Sequence, residues 1–246
     1  IHISTQFRGT VDVRDGDVLL PSFQARLGNT NLTAHATIAG SPRKTVTLMV
    51  AEGKGEIQDL MLMFSKASQP SVKGPIVFHT QVVLPPEHRP FKERVQLTGD
   101  FNVDPARFPA ADTQGSIDQL SERAEGKKDK QKDFDQDDDA TGFERVLTQL
   151  KGQVRLRNGV ATFSRISFSL PGAHADMMGT YSLIDKRVDL RGKMRMQATV
   201  SQATTGKKSF FLKVIDPFYK KKGAGAELPV TMSGTYGHTH FAASLK

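Results

Sequence analysis

GQVRLRNGVATFSRISFSLPGAHADMMGTYSLIDKRVDLRGKMRMQATVS, residues 152–201, decides how this chain is read. Successive side chains of a strand point to opposite faces, so Val154 and Leu156, then Ile166, Phe168 and Leu170, then Val188 and Leu190 each lay an apolar row on one side and a polar row on the other. Between these runs Asn158-Gly159, Pro171-Gly172 and Asp185-Lys186 fall at hairpin spacing, which predicts a meander of antiparallel strands with one apolar face. Sliding Gly9 onto Gly152 aligns GTVDVRDGDVLLPSFQARLGNTNLTAHATI with GQVRLRNGVATFSRISFSLPGAHADMMGTY without a gap. Gly9, Val11, Arg14, Gly16, Leu27 and Thr37 then fall on Gly152, Val154, Arg157, Gly159, Leu170 and Thr180. One β-module is therefore expected twice, over 1–113 and 143–246.

A chain of 246 residues with 37% hydrophobic and 7% aromatic content can bury a core but is lean for a compact enzyme, and an open, elongated sheet suits those numbers. Cysteine is absent, which excludes a disulfide framework and thiolate chemistry. The first residue, Ile1, already sits in a strand-like pattern with no leader before it, so the chain reads as a piece of a longer protein. No apolar run reaches the roughly 18 residues of a spanning helix, and the expectation is a soluble or peripheral domain.

Charge divides the chain unevenly, with net +2 over 1–110, −5 over 111–145 and +11 over 146–246. The basic final third is expected either to meet anionic surfaces or simply to favour solubility. Between the modules, 114–142 reads as a short helix started by Ser116 and Gln119 and stopped by Gly126, followed by a charged, disordered loop over 127–139. After it, Phe143, Val146, Leu147 and Leu150 stand at helical spacing and predict a helix packed on the sheet. A further short helix is predicted near 57–66 from Ile57, Leu60, Met61 and Phe64, its methionines suited to core packing or to an adaptable contact.

Catalytic and metal constellations are not found. Asp133, Asp135, Asp137 and Glu144 mimic a calcium loop, but Asp138 stands where its sharp turn needs glycine, so no metal site is expected. His238 and His240 lack a third ligand nearby in sequence. There is no nucleophile elbow, and Gly223-Ala224-Gly225 is not followed by the Lys-Ser or Lys-Thr of a phosphate loop. The expectation is a protein that is not an enzyme and takes no cofactor. Nucleic acid is not expected either, since aromatic residues are not interleaved with the basic ones. An apolar cluster that includes Phe210, Phe211 and Phe218 is bracketed by lysines, among them Lys213, Lys220, Lys221 and Lys222, as in a segment lying at a membrane interface; a short cap over the sheet end is the other reading.

Three stretches, LPPEHRPFKERVQLTGDF, LKGQVRLRNGVATFSRISFSLPGAHADMMGTYSLIDKRVDLRGKM and SQATTGKKSFFLKVIDPFYKKKGAGAELPVTMSGT, together resemble the C-terminal region of the AsmA-like proteins of the Gram-negative envelope, which include TamB-like and YhdP-like members. LPVTMSGT after KKKGAGAE is the most specific piece. The resemblance implies a long curved groove-like sheet projecting into the periplasm, an inner-membrane anchor in a segment outside this chain, and a part in moving phospholipid between the membranes and in outer-membrane biogenesis. Phospholipid or another envelope lipid, the membrane surface and envelope proteins are the partners it implies.

A curved sheet with one apolar face left open is a trough for acyl chains, and carrying lipid in it requires no catalytic residue. Each buried methylene contributes about 0.8 kcal/mol, enough to hold a tail while its head group stays wet. The expected trough-lining positions are Val154, Leu156, Ile166, Phe168 and Leu170 in the second module, with Val11, Val13, Phe23, Ala25 and Leu27 in the first. A competing expectation is a scaffolding β-domain whose apolar face is filled by the helices at 57–64 and 143–150 and which binds a protein at a sheet edge.

Overall fold

A computed structural model describes residues 3–40, 43–64, 70, 72–86, 88–108, 147–196, 227–235 and 238–243. Among them the chain is mainly β: twelve strands form one antiparallel sheet in which sequence order is spatial order. The first half holds β1 (Ile3–Val11), β2 (Val18–Leu27), β3 (Thr30–Ala39), β4 (Thr45–Glu56), β5 (Pro75–Leu84) and β6 (Gln96–Val103). The second holds β7 (Thr148–Arg157), β8 (Val160–Leu170), β9 (Ala173–Ser182), β10 (Arg187–Met196), β11 (Glu227–Thr235) and β12 (His238–Ala243). The helices are α1 (Ile57–Met61), between β4 and β5, and α2 (Phe91–Arg94), between β5 and β6.

Alternation sorts the side chains as the sequence predicts. In β10, Val188, Leu190, Met194 and Met196 are buried while Arg187, Asp189, Arg191, Lys193 and Arg195 are exposed. The inward rows of β3 to β11 join into one apolar cluster that crosses from the first half to the second through the β6–β7 pairing, Phe101 opposite Gly152 and Val103 opposite Leu150. The two halves are thus one sheet. At the β7–β8 turn both Asn158 (φ 50°) and Gly159 (φ 74°) adopt left-handed backbone, the tight hairpin geometry that Asn-Gly favours.

The internal repeat reappears in one hairpin, while the flanking ladders differ in register: Val11 pairs with Val18, but Val154 pairs with Phe163. A shift of 143 residues carries Gly9 onto Gly152, and the same shift lays the β2–β3 ladder on the β8–β9 ladder. Each ladder breaks register at the same place, between Leu20 and Phe23 and between Phe163 and Ile166. The extra residue in each bulge switches the inward row from Leu20 to Phe23 and from Ala161 and Phe163 to Ile166 and Phe168. Bulges bend strands, and register breaks within the β1–β2, β2–β3, β3–β4, β4–β5, β7–β8 and β8–β9 ladders curve the sheet across the strand direction.

Two expectations are corrected. Val13 does not continue a V-x-V strand from Val11: β1 ends at Val11, and Asp12 closes a longer loop by accepting the N–H of Gly16 at its carbonyl (2.7 Å) and that of Arg14 at its carboxylate (2.8 Å). The stripe at 143–150 is not helical in its described part, because Leu147 exchanges two backbone hydrogen bonds with Ala106 and β7 starts at Thr148. A bulge at Gln149 (φ 54°) inserts one residue, so Leu147 and Leu150 reach the same face three positions apart and imitate a helical period. Residues 143–146, the expected helix at 116–126, the charged loop, the calcium-like spacing at 133–144 and the membrane-interface candidates Phe210, Phe211, Lys213, Phe218, Lys220, Lys221 and Lys222 lie outside the described residues.

Candidate functional site

The concave side of the sheet holds an apolar trough of about 580 Å³. Its floor is built by aromatic rings lying over glycines. Phe78 pairs across the ladder with Gly53 on one side and Phe101 on the other, and Phe101 pairs with Gly152. A Cβ at Gly53 would overlap atoms of the Phe78 ring, and one at Gly152 would stand 2.6 Å from the Arg165 carbonyl oxygen and 3.0 Å from Phe101 Cζ, so glycine at both positions leaves room for these rings across neighbouring strands. Phe101 meets Phe163 edge to face at 6.2 Å, which carries the floor into β8.

Walls come from both halves: Leu48 and Val50 of β4, Val154 of β7, Ile166 of β8, Tyr181 of β9 and Met232 of β11. Among the lining residues only Asp100 and Lys186 are charged. Asp100 directs its largely exposed carboxylate to His79 (3.2 Å). The interior therefore offers dispersion and the exclusion of water, and no ionic recognition.

α1 and α2 lie over the first-half side of the trough. Ile57, Leu60 and Met61 of α1 face it, and the chain continues as a turn to Phe64, which also lines it. α1 is pinned at the β2–β3 turn, where the Asp59 carboxylate accepts the N–H of Asn29 (2.7 Å) and the hydroxyl of Thr30 (3.3 Å). Phe64 stacks on Phe91 of α2, centroids 6.0 Å apart. The sequence expectation of a short helix near 57–66 corresponds to α1 and its turn, and a cavity persists beneath it.

The expected lining positions divide. Val154, Ile166 and Phe168 line the trough. Leu156 (4% exposed) is buried beside Val95 and Ala161, while Leu170 and Leu27 are buried in the sheet's apolar face. Phe23 and Ala25 are half-buried. Val11 (62% exposed) and Val13 (95%) stand in the open, Val11 on a strand paired on one side only among the described residues and Val13 in the loop after it. Phe78, Phe101, Leu48 and Tyr181 are lining residues not foreseen, although PIVFHTQVVL over 75–84 and QLTGDFNV over 96–103 carry the period-two signal that finds the first two.

The outer face is polar and most basic in the second half. Lys193 (2.7 Å) and Arg195 (3.2 Å) converge on Glu227, and their hydrogen bonds hold its carboxyl below the usual glutamate range. Lys44 does the same to Asp17 at the first-half loops. Among the described residues no three His, Asp or Glu side chains are grouped to hold a metal ion, and no helix is long and apolar enough to cross a membrane. Comparison of the chain with protein families, with curated proteins and with solved structures finds no match.

Proposed function

We propose that this chain is a non-enzymatic lipid-binding segment of the bacterial envelope, related to the AsmA-like proteins, which holds acyl chains in its trough and takes part in moving phospholipid between the inner and outer membranes. The observation that carries this reading is the apolar trough itself, which runs through both halves of one sheet without being filled by side chains. Its volume lies within the roughly 300–1,000 Å³ of small-molecule sites, and its lining supplies apolar surface with almost no charge. A tail inside it keeps about 0.8 kcal/mol per buried methylene, and its head group remains in water at the rim. A periplasmic setting and an anchor outside this chain belong to the same proposal.

The test is native mass spectrometry with lipid extraction on the protein purified from a Gram-negative host. Because the chain has no cysteine, Val154→Cys places a single thiol in the trough that a bulky maleimide can fill. Phospholipid should co-purify with the wild type and be displaced from the folded, blocked variant. A folded wild type that carries no lipid and takes up none from vesicles would overturn the proposal.

A second reading, a scaffold that binds a protein, rests on β1. All nine residues of this strand are exposed, and Ile3, Phe7 and Val11 extend the apolar row of β2 to the sheet edge. Such an edge accepts an added strand.

A further inference from the structure

The segment from Ile57 to Phe64 and the helix α2 start from opposite ends of the strands and meet over the trough. Ile57 follows the end of β4 that lies beside the start of β5: its N–H donates to the Gly74 carbonyl (3.0 Å), and the Gly74 N–H donates to the Gln58 side chain (3.1 Å). With the two bonds to Asp59 from Asn29 and Thr30, the first turn of α1 is held by four hydrogen bonds. α2 lies between Leu84 and Gln96, at the other end of β5. Phe64 nevertheless stacks on Phe91, and it packs against the cluster of Val95, Leu156 and Ala161 at that far end.

Lengths make the consequence plain. β5 has ten residues, a contour of about 33 Å. The segment over it reaches at most about 18 Å, a five-residue helix plus three turn residues. A segment that short does not run the length of β5, and the remaining distance over the inner face is closed by α2 returning from the far end and by the rings of Phe64 and Phe91. The two ends of this segment differ in how they meet their neighbours. Four hydrogen bonds tie the α1 end to the β2–β3 turn and to Gly74, whereas at the other end the N–H of Phe64 donates within the segment to the Met61 carbonyl (3.0 Å) and its ring meets α2 by stacking on Phe91. Leu62 (45% exposed), Met63 (40%) and Phe91 (40%) leave apolar surface open to solvent around that stack.

We infer that Phe64 and Phe91 form a clasp over the trough, and that an acyl chain loads from the side when the clasp parts while Asp59 keeps α1 anchored. The inference rests on the acyl-chain reading of the trough. Parting the stack needs no break in the sheet, because Phe64 meets Phe91 ring to ring, so the clasp is the part of the cover that moves at least cost.

The experiment uses the full chain carrying Phe64→Cys and Phe91→Cys, joined by oxidation or by a short bis-maleimide, with vesicles of phosphatidylethanolamine and phosphatidylglycerol doped with a phospholipid bearing a fluorescent tail. Joining the two residues should slow uptake of the fluorescent lipid roughly tenfold or more, and reducing the oxidised form should restore it. Lipid loaded before joining should be retained. Phe64→Leu, which keeps the packing and removes the stack, should load several-fold faster than the wild type with an unchanged circular dichroism spectrum. Equal uptake in the open, joined and Leu forms would overturn the clasp and leave the lipid trough standing. No uptake by the wild type or by any form would overturn both.

Discussion

β2–β3 and β8–β9 are the same hairpin written twice, yet they meet different fates. Both turn at a glycine-containing pair, both carry one bulge at matching positions, and a shift of 143 residues superposes their ladders. In β8 the row after the bulge, Ile166, Phe168 and Leu170, is buried to 7%, 4% and 6% exposure. In β2 the matching Phe23 and Ala25 are only half-buried, and Leu27 alone is fully covered. The sequence patterns are equivalent; the neighbours are not. β8 lies between β7 and β9 deep in the sheet, whereas β2 lies next to β1, whose every residue is exposed. Alternation decides which face is apolar, and position in the sheet decides how dry that face becomes.

The sharpest way to break this comparison is to place a carboxylate at matched positions. Phe168→Asp should cost about 3–5 kcal/mol in urea unfolding, because a charge enters a dry apolar face, while Ala25→Asp should cost no more than about 1 kcal/mol. Equal losses would mean that β2 is covered as fully as β8. A second strain falls on the floor that joins the halves. Gly53→Val drives its side chain into the Phe78 ring and Gly152→Val into the Arg165 carbonyl and the Phe101 ring, and both should lose about 1–3 kcal/mol, with the T-shaped Phe101–Phe163 contact disturbed more by the change at Gly152. Thermal melts of the two variants, compared with alanine at the same positions, measure this; wild-type stability in both would dissolve the floor as described.

At the edge the effect should be small and of another kind. Phe7→Lys should change stability by less than about 0.5 kcal/mol while reducing concentration-dependent association in sedimentation, since a lysine on an edge strand discourages strand addition. A stability loss approaching that at Phe168 would show β1 to be covered. The smallest effect concerns acid. Glu227 and Asp17 have carboxyls lowered below their ordinary values by Lys193 and Lys44, so their contribution is fully present above the unfolded-state pKa and fades as pH falls through the lower folded value. Glu227→Gln should therefore flatten the acid limb of the stability profile below about pH 4 and leave neutral pH almost unchanged. An unchanged acid limb would deny the β10–β11 pairing its electrostatic part.

Much of the architecture was legible because strands leave a period of two. The inward rows of β8 and β10 and the Asn158-Gly159 turn could be read from residues a few positions apart, and the repeat of Gly9 at Gly152 from an ungapped alignment of the chain with itself. Bulges defeated the same logic. The one at Gln149 made a strand look helical at Leu147 and Leu150, and a loop closed by Asp12 removed Val13 from the face that its alternation suggested. Of the lining residues, Ile166 and Phe168 followed from alternation; Tyr181 and the clasp of Phe64 on Phe91 did not, since they depend on where strand ends meet.

By itself the sequence determined the class of fold, which residues face inward, and where the chain turns, because these follow from local backbone geometry and from the alternation of a pleated strand. Only the tertiary structure decided that both modules share one sheet, that Phe64 at the end of an eight-residue segment meets Phe91 of α2, and that a cavity remains beneath that contact. Curvature accumulates from bulges and inter-strand twist over many pairings, and an empty volume is a property of surfaces that meet from distant parts of the chain.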